Sequence, residues 1–546
     1  MNTHLIIPIL VPLFTAMVLT FFSRQPVLQR AMSLASALGV LGYVLWLLFY
    51  VDQHGIQTMA VGGWEAPWGI VFVADRLAAI MLCLTMGVGT VAMIYTFWTV
   101  TRVQQQYFFY PLMHVLMGGV NWSFLTGDLF NLFVSYEVML ISSYAMMMAG
   151  ASRQQLRQTF KYIVINAIGS SLFVAAIGLI YATVGTLNMA DIAVQTTQLT
   201  GQRAAMVTAA SIMLLVVFSI KSGAFPLFFW LPDSYPIVPS GVIGFFAGML
   251  TKVGVYSLLR VFITVFQQEG GELIVQILLV LSGFTMLLGV LGAMCQWDIR
   301  RILSWHIISQ VGYMLMGIGF TGHVDPLIVN MAIAGTIFYV AHNIIVKSCL
   351  FLVGGIAERI TGTQELKKMG GLLNVAPGVA GLFLVAGLSI AGIPPFTGFA
   401  GKFTLIGVGF SGGYFLVVAV AIITSFFTLY SMMKIWTYVF WGKAHESQWQ
   451  PLSYRGMMAP TAVLVLATTA FGVFAQPFID LASKAATDVR DPNNYVTAVL
   501  GQGAWPVVAE AKSDEADAVA ADDVEQSPDA ERRAVAVVAN LTREAH

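Results

Sequence analysis

Apolar stretches of about 20 residues follow one another along this chain as far as residue 477, each long enough to cross the hydrocarbon core of a bilayer as a helix. Hydrocarbon offers no water to backbone N–H and C=O groups, so only helices and closed barrels span it. The run lengths favour helices. Of the 546 residues 58% are hydrophobic and 10% charged, whereas a soluble domain carries roughly 25% charged residues. No soluble fold of this size hides so much apolar surface, so lipid must be the solvent. The 12 Trp and 18 Tyr are ample for interfacial belts. A net charge of +0 argues against nucleic-acid or acidic partners.

Breaking the runs at charges, Gly, Pro and Asn gives about fourteen spans, at 4–22, 29–50, 74–100, 107–126, 128–149, 159–185, 205–222, 238–265, 273–294, 301–320, 327–354, 376–406, 413–441 and 457–477. The first run lacks a basic leader and a small-residue cleavage site, so it reads as a retained helix rather than a signal peptide. Loop charges alternate. Odd loops are basic, with Arg24 and Arg30, Arg102, Arg153 and Arg157, Arg300 and Arg301, Arg359 with Lys367 and Lys368, then Lys443 and Arg455. Even loops are acidic or poor in charge, with Asp52, Glu65 and Asp75, then Asp191 against Arg203, then Glu269 and Glu272. The positive-inside rule puts the odd loops in the cytoplasm and both termini on the outer face. A miscounted helix would break the alternation part-way.

Cys83, Cys295 and Cys349 each lie inside an apolar run, with no CxxC or Cys/His cluster. Iron–sulfur, haem and structural zinc sites are therefore not expected. GxGxxG, Walker A and GxSxG are absent too, and no nucleophile, metal or cofactor constellation stands out. The chain reads as a transporter component without cofactors rather than an enzyme. Residues 485–546 form a polar acidic tail that includes AEAKSDEADAVAADDVEQ, expected to be mostly disordered apart from a short surface helix that 529–544 could form.

A charge at mid-membrane costs roughly 2.5–3.5 kcal/mol on insertion scales, so ionisable residues there need a reason. Glu137 sits about nine residues from each flank of its span, too deep to snorkel. Lys221 ends the seventh run, Lys252 lies mid-way in the eighth and His306 in the tenth. His342 and Lys347 share the eleventh, and Lys402 lies in the twelfth. Lys434, near a helix end, reads as a snorkelling side chain. The seventh and twelfth spans are also broken, by Gly223 and Pro226 in one and by Gly392, Pro394, Pro395 and Gly398 in the other. Irregular backbone at membrane depth survives only in contact with protein or a wet cavity. Each break adjoins a Lys, and the two lie five helices apart. This points to an all-α polytopic membrane protein with two inverted five-helix repeats, each containing a broken helix. The division is 1–106 for three N-terminal helices, 107–265 and 273–441 for the repeats, and 457–477 for the last helix.

A desolvated amine releases its proton more readily, and a nearby carboxylate holds that proton in place. Lysines whose pairing comes and goes are thus switchable carriers. Glu137, Lys221, Lys252, His306, His342, Lys347 and Lys402, with hydroxyls such as Ser142 and Ser309, form a candidate relay in which Lys221 keeps its proton while paired with Glu137.

The segments KSGAFPLFFWLPDSYP, FVSYEVMLISSY, DIRRILSWHIISQVGYM and GIPPFTGFAGKF resemble the proton-translocating antiporter-like subunits of respiratory NADH dehydrogenase and its relatives. Within that superfamily, MLTKVGVYSLLR and DPNNYVTAVLG look like the D-type component of the Mrp-type multisubunit Na+/H+ antiporter, and the likeness covers about residues 1–502. The resemblance implies a fold of about fourteen helices with two inverted repeats. It also implies a bacterial inner-membrane complex with other Mrp-type subunits, and Na+/H+ antiport driven by proton influx. Glu137 matches the family's glutamate of the fifth helix, and Lys221 the lysine of the broken seventh. Lys252 and Lys347 match the lysines of the eighth and eleventh, and Lys402 the ionisable group of the broken twelfth. Many respiratory members carry His early in the eighth helix, where this chain has Ala247-Gly248. The same membrane fold also serves proton-pumping subunits of NADH dehydrogenase-like or hydrogenase-like redox complexes, the alternative reading; a stand-alone solute permease is a third. Hard cations need several clustered oxygen ligands. Glu137 is a lone mid-helix carboxylate, so the Na+ path is expected wholly or partly in a partner protein of the complex.

Overall fold

The computed structural model describes residues 3–150, 152–266, 272–443 and 453–504. Helices occupy every expected span: α1 (Ile7–Phe21), α2 (Pro26–His54), α3 (Arg76–Thr99), α4 (Phe109–Leu125), α5 (Leu129–Met147), α6 (Arg153–Val184), α7 (Gly201–Ser222), α8 (Ser240–Leu259), α9 (Glu272–Cys295), α10 (Ile299–Gly319) and α11 (Pro326–Thr361). The twelfth span is two pieces, α12a (Pro377–Ala391) and α12b (Thr397–Ser411), followed by α13 (Phe415–Ile435) and α14 (Arg455–Val473). Among the described residues, 12 helices are long and apolar enough to cross a membrane; α4 is slightly shorter, and the two halves of the twelfth span share one crossing.

Side chains set the helix starts. Asp75, Asp128, Asp298 and Asp325 each accept a backbone N–H one turn into α3, α5, α10 and α11. Two of these caps expose the internal repeat. Beside Asp128, Leu129 N donates to Leu187 O, and beside Asp298, Ile299 N donates to Gln364 O. Asp128 also bridges Asn188, and Asp298 bridges Glu365. The same cap-and-bridge therefore recurs on an even loop and on an odd loop, as an inverted repeat requires.

Both broken spans end their first half on a left-handed glycine, Gly223 (φ 74) and Gly392 (φ 87). Prolines then prevent resumption of the same helix. A Cβ on Gly392 would meet Lys402 Cδ at 2.9 Å, so that glycine also makes room for the lysine stem.

The helices α8, α10 and α11, which carry Lys252, His306, His342 and Lys347, are the most enclosed. The central windows of α8 and α11 are buried at every position. Peripheral α2, α6 and α13 bury one face and expose apolar side chains on the other, a lipid-facing pattern.

Residues 485–490 and 492–500, expected to lie in a mostly disordered tail, are helical. The helices α15 (Ala475–Arg490) and α16 (Pro492–Leu500) pack on the body. Arg76 holds Asp488 at 2.9 Å, Lys484 holds Asp52 at 3.1 Å, and the Tyr495 ring lies 5.2 Å from the Arg260 guanidinium carbon. Local composition hid this because the anchors lie hundreds of residues away. The AEAKSDEADAVAADDVEQ segment and the 529–544 helix fall outside the described residues.

The buried pair Arg260–Asp75, at 2.5 Å, ties α3 to the π-helical end of α8. Removing one partner of a buried ion pair typically costs about 3–5 kcal/mol. Asp75→Ala should therefore clearly lower the thermal unfolding midpoint of the detergent-solubilised complex. An unchanged midpoint would show that the pair does not hold α3 to α8.

Candidate proton-translocation site

In the first repeat, Glu137 and Lys221 approach each other through α6 rather than directly. The Glu137 carboxylate accepts the Ser170 hydroxyl hydrogen. Lys221 Nζ donates to Asn166 Oδ1 at 3.1 Å and lies 5.7 Å from the centre of the Tyr136 ring. Asn166 and Ser170 are one turn apart on α6. The expected Glu137–Lys221 ion pair is thus not made in this structure. Glu137 is half-buried and Lys221 buried.

Lys252 stands at the centre, fully enclosed, with Nζ donating to Ala247 O at 2.8 Å. It stays close to α11 because Gly248 has no side chain. A Cβ there would collide with Ser348 Oγ and approach Ile344 O at 3.2 Å. Ser348 itself donates to Gly244 O at 2.8 Å. The space that a histidine would need at this position is filled by α11.

In the second repeat, Lys347 Nζ reaches Leu303 O at 3.4 Å. Lys402 Nζ donates to Ile390 O and Ala391 O at the break of the twelfth span and to Ser425 Oγ of α13, all at 3.0–3.1 Å. It lies at the floor of a cavity of about 290 Å³ between α12b and α13. His306 Nδ1 lies 3.5 Å from Ser309 Oγ, which accepts from Gln310 Nε2 at 3.1 Å. Gln310 Oε1 in turn accepts from Tyr339, whose ring centre is 5.5 Å from that of His342.

Among the described residues, none of Lys221, Lys252, Lys347 and Lys402 makes an ion pair. Arg260, buried to the same degree, has Asp75 as its partner. The contrast is chemical, since a guanidinium cannot shed its proton and an amine can. Thr251 Oγ1, His306 Nε2, both His342 nitrogens and both polar atoms of the Asn343 amide have no protein partner, and these side chains are at most 1% exposed. Buried polar atoms of this kind are the ones that internal water satisfies.

Lys221, Lys252, His306, His342, Lys347 and Lys402 are all buried, and Glu137 and Lys221 meet neighbouring polar residues of α6. Ser142 donates to Val138 O and Met139 O of its own helix. Lys434, expected to snorkel, reaches the carbonyls at the end of α9, Met294 O at 2.9 Å and Gln296 O at 2.7 Å, over the Trp297 ring. Sequence reasoning missed Asn166, Ser170, Thr251, Gln310, Tyr339 and Asn343. For α6 the signal was legible, as two polar residues at i and i+4 on an otherwise apolar span.

Residues 126–428 match the family model described as the NADH:quinone oxidoreductase/Mrp antiporter membrane region. The chain is 44% identical over 501 residues to the D-type component of the Na+/H+ antiporter of Alkalihalophilus pseudofirmus, covering 92% of this chain and 100% of that one. With the corresponding D-type Na+/H+ antiporter component of Bacillus subtilis the identity is 37% over 508 residues, 92% of this chain and 100% of that one. A chain in the structure of the Mrp complex from Dietzia superposes with a TM-score of 0.84 at 30% identity, covering 91% of this chain and 99% of that chain.

Overpacking a tight helix contact costs about 1–3 kcal/mol. Gly248→Leu should therefore reduce the yield of folded, assembled protein while leaving its transcript unchanged. A normal yield would show that α8 and α11 need no such approach.

Proposed function

The chain belongs to the NADH:quinone oxidoreductase/Mrp antiporter family, among the D-type components of multisubunit Na+/H+ antiporters, and from that premise we propose that it carries the proton arm of such an antiporter. It is a component of a transporter, and its work is proton transfer rather than covalent catalysis. Protons pass from Glu137 and Lys221 to Lys252, then through the band of His306, His342 and Lys347 to Lys402. Proton influx along this line drives Na+ efflux. The observation that carries the reading is the row of buried amines with no carboxylate partner, beside an equally buried guanidinium that has one. Groups kept charged for structure are paired; groups kept to load and unload protons must be able to lose their charge.

Glu137 supplies the control. With Glu137 held by Ser170 and Lys221 by Asn166, the amine is free to pass its proton on. A rotation that closes the two would hold the proton on Lys221. Each proton crossing gains about 2.3 kcal/mol per 100 mV of membrane potential.

The odd, basic loops face the cytoplasm and both termini the outside, by the positive-inside rule. The other Mrp-type subunits are the partners, in a bacterial inner membrane. The Na+ path lies wholly or partly in them, since Glu137 is the only carboxylate assigned to the relay and offers too few oxygens for a hard cation.

The test uses everted vesicles containing the whole complex. Glu137→Ala and Lys221→Ala should each cut Na+-driven pH change by at least about tenfold, a barrier increase of roughly 1.4 kcal/mol, with the amount of assembled complex unchanged. Near-normal antiport by both variants would overturn the site assignment.

A further inference from the structure

We propose that the basic-loop end of the seam between α9 and α13 binds the phosphate of an anionic phospholipid, held by Lys367 and Lys434 beside the Trp297 ring. None of these residues belongs to the relay, so the site stands or falls apart from the proton reading.

Three pieces of chain meet there. α9 ends at Cys295, α13 runs on into a π-helical turn at Trp436–Phe440, and residues 362–376 join α11 to α12a. Leu366 N donates to Trp297 O at 2.9 Å and Gly371 N to Trp441 O at 3.0 Å, so the joining segment is laced to both helix ends. The Tyr438 ring meets Trp297 edge-on at 5.1 Å.

Trp297 gathers two cations. Lys434 Nζ lies 3.8 Å and Lys367 Nζ 4.3 Å from the centre of its ring. A cation–π contact accounts for either lysine alone. It does not account for both, because two ammonium groups drawn to one ring repel each other. Among the described residues, neither makes an ion pair. The acidic side chains beside them in sequence are engaged elsewhere: Asp298 accepts Arg301 N at 3.0 Å, and Glu365 holds Lys368 at 2.5 Å. An ammonium has three N–H donors, and Lys434 gives one each to Met294 O and Gln296 O. One donor remains for a ligand. Lys367 is exposed, and its long stem lets the amine close on the same anion.

The surroundings select a phospholipid rather than a free anion. The cluster sits where two spans end on the basic-loop side, and basic pockets between helix ends on the cytoplasmic side suit anionic headgroups. Tyr438 and Trp441, 40% and 49% exposed, flank it as an interfacial aromatic belt does. Towards the membrane centre the same α9/α13 seam opens into an apolar groove of about 400 Å³, lined by Phe284, Leu287, Leu416 and Val420 among others. Exposed Leu291 lies between the cluster and the groove. From Met294 to Leu287 is about 10 Å of helix, within the roughly 15 Å half-thickness of a hydrocarbon core. An acyl chain whose headgroup rests on Lys434 therefore reaches the groove, which a free phosphate would leave empty.

The probe is phosphatidylglycerol with a diazirine near the end of one acyl chain, added to the detergent-solubilised whole complex, irradiated and mapped by peptide mass spectrometry. Label is expected on α9 around Leu287 and on the facing part of α13. Unlabelled phosphatidylglycerol should displace it; phosphatidylcholine and inorganic phosphate should not. Lys367→Gln, at an exposed side chain, should cut this label about fivefold, the share of one lysine near an anionic headgroup, with the amount of assembled complex unchanged. Lys367→Arg should keep most of it, and label on the lipid-facing side of α6 should not respond to either change. Equal displacement by phosphatidylcholine would mark ordinary lipid contact and overturn the site. Displacement by inorganic phosphate alone would overturn it in favour of a free anion. So would label indifferent to Lys367→Gln, or no label on α9 because another protein of the complex covers the seam.

Discussion

An amine taken out of water must find a carboxylate, find backbone carbonyls, or give up its proton, and the interior of this protein is organised around that choice. Lys252 and Lys402 are held by carbonyl oxygens, Lys221 by an amide, and Lys347 reaches a carbonyl at the edge of hydrogen-bond distance. Carbonyl dipoles favour an ammonium without fixing it as a carboxylate does. On the proposed reading, the lysines sit between two protonation states. The surrounding fold keeps that balance by excluding lipid and by leaving neighbouring polar atoms to water.

The broken spans serve the same end. An intact helix has no free carbonyls in its middle, because each accepts the N–H four residues on. Ending α12a at Gly392 frees Ile390 O and Ala391 O, and Lys402 from α12b takes both. Glycine and proline at membrane depth thus supply acceptors. In α7 the break places Lys221 in the last turn, within reach of α6.

Much of this was legible in the sequence. Run lengths gave the spans, loop charges kept their count consistent, and the Gly/Pro breaks beside Lys221 and Lys402 pointed to related halves. Charges in apolar runs stand out because lipid gives them no other excuse. Contacts across the fold were not legible. Glu137 and Lys221 look like an obvious pair in one dimension, yet α6 puts Ser170 and Asn166 between them. The acidic composition beyond residue 485 suggests a loose tail, whereas Asp488 and Tyr495 dock on Arg76 and Arg260 from distant parts of the chain. In each case the local pattern was read correctly and the partner lay elsewhere in sequence.

The central claim is that these enclosed amines exchange protons through water. Direct imaging of ordered water in the intact complex, by electron cryomicroscopy at a resolution that shows single molecules, tests it most directly. The account predicts waters bonded to Thr251, His306, His342 and Asn343 that join Lys252 to Lys347 and Lys402. A dry interior, with each lysine sealed among apolar side chains and no solvent between them, would contradict it.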